Sequence, residues 1–408
     1  MTPAPAPSSS PGRHRAGRVR RRSWAGGLAA AGLAAGLVVP WLTTAGSPPA
    51  AEVAAQPALE QARDVRRAPS APPAPRSPVP TSAAPATTAA PTASRVPPTT
   101  APPTTAQPTA TSAADPAGAA GGPAQPGNPL TGMAFHGPNT GAALAAARPG
   151  RSAADTAALT ELASVPVATW LGAWSGDVTA TVRQEVAAAR AAGAVPVLVT
   201  YNVPGRDCGG YSAGGAGSSA AYLDWVRAVV AGIGTAQAVV VVEPDALAQR
   251  CGDTAERTQL LRTAVGLLEA NPGTHTYLDA GNPTWVDAAT MAGRLRAAGA
   301  TDADGFALNV SNFETTASNL AYGRQVSSLL GGAHFVVDTS RNGNGPGTDW
   351  CNPPGRALGE RPTAATGEDR VDAYLWVKRA GESDGTCNGG PPAGTFWDSY
   401  AIGLVRGA

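Results

Sequence analysis

The sequence predicts an α/β fold, a barrel of parallel strands wrapped by helices, and three observations carry that reading. Short, unbroken apolar or β-branched runs recur through the second part of the chain, each stops abruptly at polar residues or at Gly and Pro, and Ala-rich stretches with helical spacing separate them. Strands that are apolar without alternation are buried on both faces, as in a parallel sheet covered by helices. About eight such units in one domain point to a β/α barrel, complete or incomplete.

The runs follow one another in order. They are MAFH around Phe135, PVATWLG around Val167, PVLVTYNVP around Val199, AVVVVEPDAL around Val241, HTYLDAG around Leu278, GFALNVSNF around Leu308, HFVVDTSRNG around Val336 and AYLWVK around Leu375. VRQEVAAARAAGA and AERTQLLRTAVGLLEAN, lying between runs, have the spacing of amphipathic helices.

Composition shows where this domain begins. Of 39 prolines in 408 residues, 24 precede Gly127, whereas every Tyr, every Phe and seven of nine Trp follow it. Three segments result. Residues 1–49 carry Arg13, Arg15, Arg18, Arg20, Arg21 and Arg22 ahead of an apolar stretch from Trp24 to Ala45, the layout of an export signal. That stretch is near the lower limit for spanning a bilayer, roughly 17 to 20 residues, and Pro40 interrupts it. It is compatible with a cleaved signal and with a retained membrane anchor, cleavage being slightly favoured; its arginine pair is only a weak twin-arginine signature. Residues 50–127 are Pro/Thr/Ala-rich with almost no large apolar side chain, so burial cannot offset ordering entropy and a disordered, extended linker is expected. Its Thr-Pro repeats offer sites for O-glycans, and a bare spacer is the equal alternative. Residues 128–408 remain for one aromatic-bearing globular domain, long enough for one large core.

Charge and cysteine usage exclude several functions. The net charge of +1 hides a lead with 11 basic and 4 acidic residues, so the remainder is acidic at −6. Nucleic-acid binding, which depends on neutralising phosphates, is not expected. Four Cys, with three His after the lead, show no zinc-type spacing, and no phosphate-binding Gly-rich loop ending in Lys-Ser/Thr is present. Neither a metal ion nor a cofactor is expected.

Parallel barrel strands deliver their C-terminal ends to one rim, where active sites are built. Here those ends carry carboxylates: Asp207 after the third run, Asp245 after the fourth, Asp279 after the fifth, Asp338 after the seventh and Asp384 in the loop after the eighth. Any one of them could equally cap a helix; five converging on one rim points to chemistry, because crowded carboxylates raise one another's pKa and provide a proton donor near neutral pH. Trp170, Trp174, Trp285 and Trp350 fall at or beyond the same strand ends, whereas Trp225 and Trp376 lie on apolar faces and read as core. Indole rings beside paired acids suit the apolar face of a pyranose, which suggests glycoside hydrolysis.

From Asn128 to Ala408 the sequence resembles glycoside hydrolase family six, the secreted β-1,4-glucanases and cellobiohydrolases. The resemblance rests on VTYNVPGRDCGGYSAGGA (199–216), VVVEPDAL (240–247), YLDAGNPTW (277–285), LNVSNF (308–313), VVDTSRNGNGP (336–346), WCNPPGRALG (350–359) and YLWVKRAGESDGTCNGGPPAGTFW (374–397). It implies a distorted barrel of parallel strands. It also implies roles: Asp245 as general acid, Asp207 as the carboxylate that keeps that acid protonated and relays a proton from water, Asp279 as a supporting acid, and Asp384 as the best-matching catalytic base. Tyr201 matches a tyrosine that crowds the reactive sugar toward an oxocarbenium-like state. Trp285 and Trp350 match sugar-stacking tryptophans, and Lys378 and Glu382 match residues that hydrogen-bond glucose hydroxyls. Asn309 of LNVSNF belongs with these substrate-binding candidates.

Lys378 is the only lysine among 30 basic residues, where drift in composition would have placed Arg, and an ammonium is not interchangeable with a guanidinium. The family inverts the anomeric carbon, which requires roughly 6.5 to 9.5 Å between acid and base carboxyls. Disulfides Cys208–Cys251 and Cys351–Cys387 are implied as well, each tying a loop that bears a catalytic Asp. Departures are Asn282 where many members have His, Ala213 where a Ser is common, leaving Ser212 as its substitute in positioning water, and the lack of a distal tryptophan in NTGAALAAA. The resulting expectation is an exported, monomeric endo-β-1,4-glucanase, because 281 residues leave little for tunnel-roofing insertions. An exo-acting cellobiohydrolase and a surface-tethered glucan-binding protein of little activity are the alternatives.

Overall fold

The computed structural model describes residues 127–408. The expected export segment and the Pro/Thr/Ala-rich linker lie outside the described residues.

Each predicted apolar run forms a strand: β1 (Phe135–His136), β2 (Thr169–Leu171), β3 (Val195–Thr200), β4 (Ala238–Val242), β5 (Thr274–Asp279), β6 (Gly305–Leu308), β7 (His334–Asp338) and β8 (Val371–Leu375). All pairings are parallel, and from β3 to β8 the strands lie side by side in chain order. β1 and β2 share one edge of β3: β1 pairs with its start, Phe135 opposite Val195, and β2 with its end, Thr169 opposite Leu198.

Between β2 and β8 there is no ladder among the described residues. The seam is bridged instead by Ala168 N–H to the Trp376 carbonyl at 3.0 Å, Trp170 Nε1–H to the Val377 carbonyl at 2.8 Å and Arg379 Nε–H to the Ala168 carbonyl at 3.1 Å. The architecture is therefore a distorted α/β barrel, as the sequence predicts.

The period of two along a strand separates two cores. Val195, Val197, Val199, Val239, Val241, Tyr277, Ala307, Val336, Ala373 and Leu375 fill the barrel interior. Leu198, Val240, Val242, Leu278, Phe306, Leu308, Phe335 and Val337 face outward. The latter pack under α3 (Val178–Ala191), α4 (Ser219–Ile233), α5 (Thr254–Glu269), α6 (Ala288–Ala297) and α7 (Thr316–Leu329). Phe306 and Phe335 stack at 5.2 Å, and truncating either costs about 3–5 kcal/mol. Gly323 of α7 lets that stack form, since a Cβ there would stand 2.5 Å from the Phe335 ring. α1 (Thr140–Ala146), α2 (Ala153–Ala163) and α8 (Asp398–Arg406) enclose Trp376 in a third cluster. Asp177, Asp253 and Asp287 accept backbone N–H groups at the starts of α3, α5 and α6; these are capping carboxylates on the helix side.

A bulge in β8 leaves Asp372 as the extra residue, Val371 lying opposite Phe335 and Ala373 opposite Val336. Its buried carboxylate accepts from Tyr277 Oη at 2.7 Å and pairs with His334 Nδ1 at 2.6 Å. Burial pushes Asp372 up to about 6 against those two partners. This cluster lies where β7 and β8 begin, at the end of the barrel away from the catalytic-type rim.

Candidate active site

The rim is assembled from residues that follow β3, β4, β5, β7 and β8. β4 ends in Val242, and the next residues leave the strand in an unusual backbone: Glu243 at φ +48° and Asp245 at φ +72°, on either side of Pro244. For residues other than glycine the left-handed region costs of order 1 kcal/mol or more, so neighbours must impose it. Glu243 is fully buried and accepts the N–H groups of Asn202 and Val203, both at 2.9 Å, fastening the end of β3 to that of β4. Burial raises its pKa, the two backbone donors opposing.

Asp245 is drawn the other way along the rim. Its N–H donates to Asp279 Oδ2 at 2.9 Å, which also accepts from Gly281 N–H at 3.1 Å, while Asp279 Oδ1 is buried without a partner. Burial lifts Asp279 to about 7 despite those donors. Burial, then the Asp279 and Asp207 carboxylates, push Asp245 well above the ordinary carboxylate value of 3.8, with the Tyr201 hydroxyl opposing. Burial and the two carboxylates thus favour the protonated form of Asp245. Tyr201, buried at the end of β3, is raised in turn by burial and by Asp245. Its ring meets Trp170 edge-on at 5.1 Å.

Asp207 occupies the loop after β3 at φ +57°. Its carboxylate accepts Ser212 N–H at 2.6 Å and Gln249 Nε2–H at 3.3 Å. The adjacent Cys208 is bonded to Cys251, which ties this loop to the one after β4. Ser212 therefore reaches Asp207 through its backbone.

Asp384, in the loop after β8, has the opposite environment to Asp245. It accepts from Arg341 Nη1 at 2.9 Å and from the N–H of Asn352 at 3.0 Å, with Lys378 Nζ at 3.2 Å. Burial alone would raise its pKa, but Arg341 and then Lys378 outweigh that and hold the carboxyl below its usual range. The Cys351–Cys387 disulfide joins the two loops that meet here. Asn352 completes the clasp by accepting Asp384 N–H at 2.8 Å.

The remaining predicted residues fall into two groups. Trp285 and Trp350 are 46 % and 60 % exposed at the rim. Trp350 lies 6.3 Å from Tyr211, and Trp285 packs over Gly281. Glu382 pairs with Arg379 at 3.4 Å and is partly exposed. Asn309, by contrast, has no exposed surface: its amide donates to the Asp338 carbonyl at 2.9 Å and its oxygen accepts Glu314 N–H at 3.1 Å. Asp338 is likewise consumed by backbone donors, the N–H groups of Ser311, Ser340 and Lys378. Asp207, Asp279 and Asp384 also accept backbone N–H groups, but Asp338 takes the most of them, with both carboxylate oxygens occupied.

Sequence reasoning overlooked Glu243, Arg341, Asn352 and Gln249. The first two had a readable signal, because a charged residue one to three positions past an apolar strand reaches the rim. The latter two had none, since their partners come from loops distant in sequence.

A carboxyl raised by its neighbours, a carboxylate lowered by two cations and exposed indoles, all at the mouth of a β/α barrel, are the features that glycosidic-bond hydrolysis calls for. Residues 133–408 match the family model for glycosyl hydrolases family 6, and the chain belongs to that family. Endoglucanase A of Cellulomonas fimi is 47% identical over 261 residues, which are 63% of this chain and 58% of that protein. Endoglucanase 1 of Streptomyces halstedii is 46% identical over 280 residues, covering 64% and 85% of the two chains. This chain thus spans little more than half the length of the Cellulomonas relative. Among solved structures, endoglucanase Cel6 from Mycobacterium tuberculosis is 45% identical with a TM-score of 0.65, over 69% of this chain and 99% of that one.

Proposed function

We propose that this chain hydrolyses internal β-1,4 bonds of cellulose-like glucans with inversion at the anomeric carbon. The observation that carries this reading is the contrast between two carboxyls on one rim: Asp245 stands beside Asp279 and Asp207, which raise its pKa, and Asp384 is held by Arg341 and Lys378, which lower its own. Asp245 protonates the leaving glycosidic oxygen as the C1–O bond breaks, and water attacks C1 from the opposite face. Asp207 and Asp279, by repulsion, keep the acid loaded. Tyr201 crowds the reactive sugar, Trp285 and Trp350 stack neighbouring units, and Lys378, Glu382 and Ser212 contact hydroxyls or water. Asn309 acts from beneath, ordering the loop over Asp338. Asp384 takes the proton of the attacking water.

The two cations on Asp384 favour a second reading of that last role. They lower its basicity, so it would stabilise developing positive charge at C1 while the water's proton leaves toward Asp207. Azide added to Asp384→Ala separates the two: recovery of rate with inverted product supports a base, and no recovery supports electrostatic stabilisation.

The 46–47% identity to two proteins called endoglucanases supports internal cleavage. Viscosity of carboxymethyl cellulose against reducing-end release, with Asp245→Ala as control, tests it. A fast viscosity drop with few new ends is expected. Ends without viscosity loss would mean exo action, and glucan binding with neither signal would mean a binding protein. Export through residues 13–45, with or without membrane retention, and a monomeric state complete the proposal; cell fractionation and light scattering check them.

A further inference from the structure

Arg206 is only 8 % exposed and has no carboxylate partner within ion-pair distance among the described residues. Its guanidinium carbon lies over two rings, 4.9 Å from the Trp174 centroid and 4.8 Å from that of Tyr201. All three of its nitrogens donate to backbone: Nε to the Ser212 carbonyl at 2.7 Å, Nη1 to that of Tyr201 at 2.7 Å and Nη2 to that of Ala213 at 3.2 Å. Carbonyls from the two ends of the segment 201–213 are thereby drawn to one planar cation.

Between those ends stand Asp207 and Cys208, two consecutive left-handed residues at φ +57° and +48°. Unsupported, such a pair relaxes to ordinary backbone. The Cys208–Cys251 bond restrains one of them from outside. Arg206 restrains both from inside, and it grips Ser212, whose N–H holds the Asp207 carboxylate. The fit is close enough that a Cβ on Gly214 would stand 2.7 Å from Nη2.

We infer that Arg206 is a positioning residue: its guanidinium sets the Asp207 carboxylate and the Tyr201 ring in their places at the reactive subsite. The inference rests on the glucanase reading for its kinetic consequence. A lysine cannot replace it, because one ammonium has no plane to pack over aromatic rings and cannot serve three carbonyls in a fixed fork.

The test uses the full chain with Arg206→Ala and Arg206→Lys, on soluble β-glucan. For both, kcat falls about 100-fold, the scale of an ångström of misplacement, while KM changes little because Trp285 and Trp350 are untouched. The alkaline limb of the kcat profile moves to lower pH. Of the groups facing Asp245, Asp279 and Tyr201 remain, but Asp207 no longer contributes its repulsion. Wild-type kcat in Arg206→Lys, or a rate loss with an unmoved alkaline limb, overturns the inference. A second readout needs no activity. Under limiting reductant, alkylation of Cys208 and Cys251 speeds up about tenfold in the variants, while Cys351 and Cys387 keep their rate as an internal control. An unchanged ratio also overturns it. Should the wild type cleave no glucan, the glucanase reading fails alone, and the alkylation ratio still decides for or against Arg206.

Discussion

Arg341 Nη1 reaches Asp384 Oδ2 across 2.9 Å, with side-chain exposures of 0 % and 6 %. The cation also donates to the Ser311 carbonyl and lies 4.3 Å above the Phe313 ring, so it has nowhere to go if its carboxylate is removed. Breaking one side of such a pair costs about 3–5 kcal/mol. Asp384→Ala should therefore lose stability as well as activity, whereas Arg341→Met with Asp384→Leu should regain most of the stability and no activity. Chemical denaturation of the single and double variants checks this.

The same pair makes a pH prediction. Asp384 has a folded pKa below its unfolded value, so its contribution to stability is complete above the ordinary carboxylate range and is lost as pH falls through the depressed one. Melting temperature should drop below about pH 4, and the Asp384→Asn variant should show a shallower drop. Equal acid sensitivity in both would assign acid unfolding to other carboxylates.

Asp245 has the opposite sign. Its folded pKa lies above the unfolded one, so it opposes folding increasingly as pH rises from the ordinary value of 3.8 through the raised value. Asp245→Asn, which removes that penalty, should be inactive yet melt a few degrees higher, about 2–4 °C per kcal/mol, at pH 7 and show no gain near pH 3. Calorimetry at the two pH values decides.

Glu243 fastens two strand ends through two buried N–H groups. Its replacement by Ala leaves both without an acceptor and should cost about 2–4 kcal/mol, with Glu243→Gln intermediate because the amide retains one acceptor. Urea midpoints at constant m-value report it.

Trp285 and Trp350 are exposed, so their loss should hardly touch stability. Replacing either by Ala should raise KM for a soluble glucan roughly fivefold to tenfold, the loss of about 1–1.5 kcal/mol of stacking, with Tm nearly unchanged.

Strand positions, rim aspartates and core tryptophans could be read from the sequence because each depends on local pattern: apolar runs, their abrupt ends, and the rule that parallel barrels send those ends one way. Trp376 is buried, and Asp177, Asp253 and Asp287 stand just ahead of helical stretches and cap them. What escaped depended on register between distant loops. Arg341, three positions past β7, could be placed at the rim, but its pairing with Asp384, 43 positions away, could not. Asn309, which the sequence predicts to bind substrate, instead turns inward at φ +66° and donates its amide to the Asp338 carbonyl. Arg206 lies beside Asp207 in the chain and holds not its carboxylate but the loop around it.

The seam between β2 and β8 gives the sheet two free ends, one of them built from strands of two and three residues. Amide protons there should exchange through small local openings, well before those of the continuous β3–β8 ladder, which exchange only when the whole domain unfolds. Trp170 belongs to that weak end, and it is also the wall against which Tyr201 stands. Warming should therefore act on the proposed glucanase activity in two stages, a reversible loss of turnover as the seam breathes and, at higher temperature, the cooperative melt of the barrel.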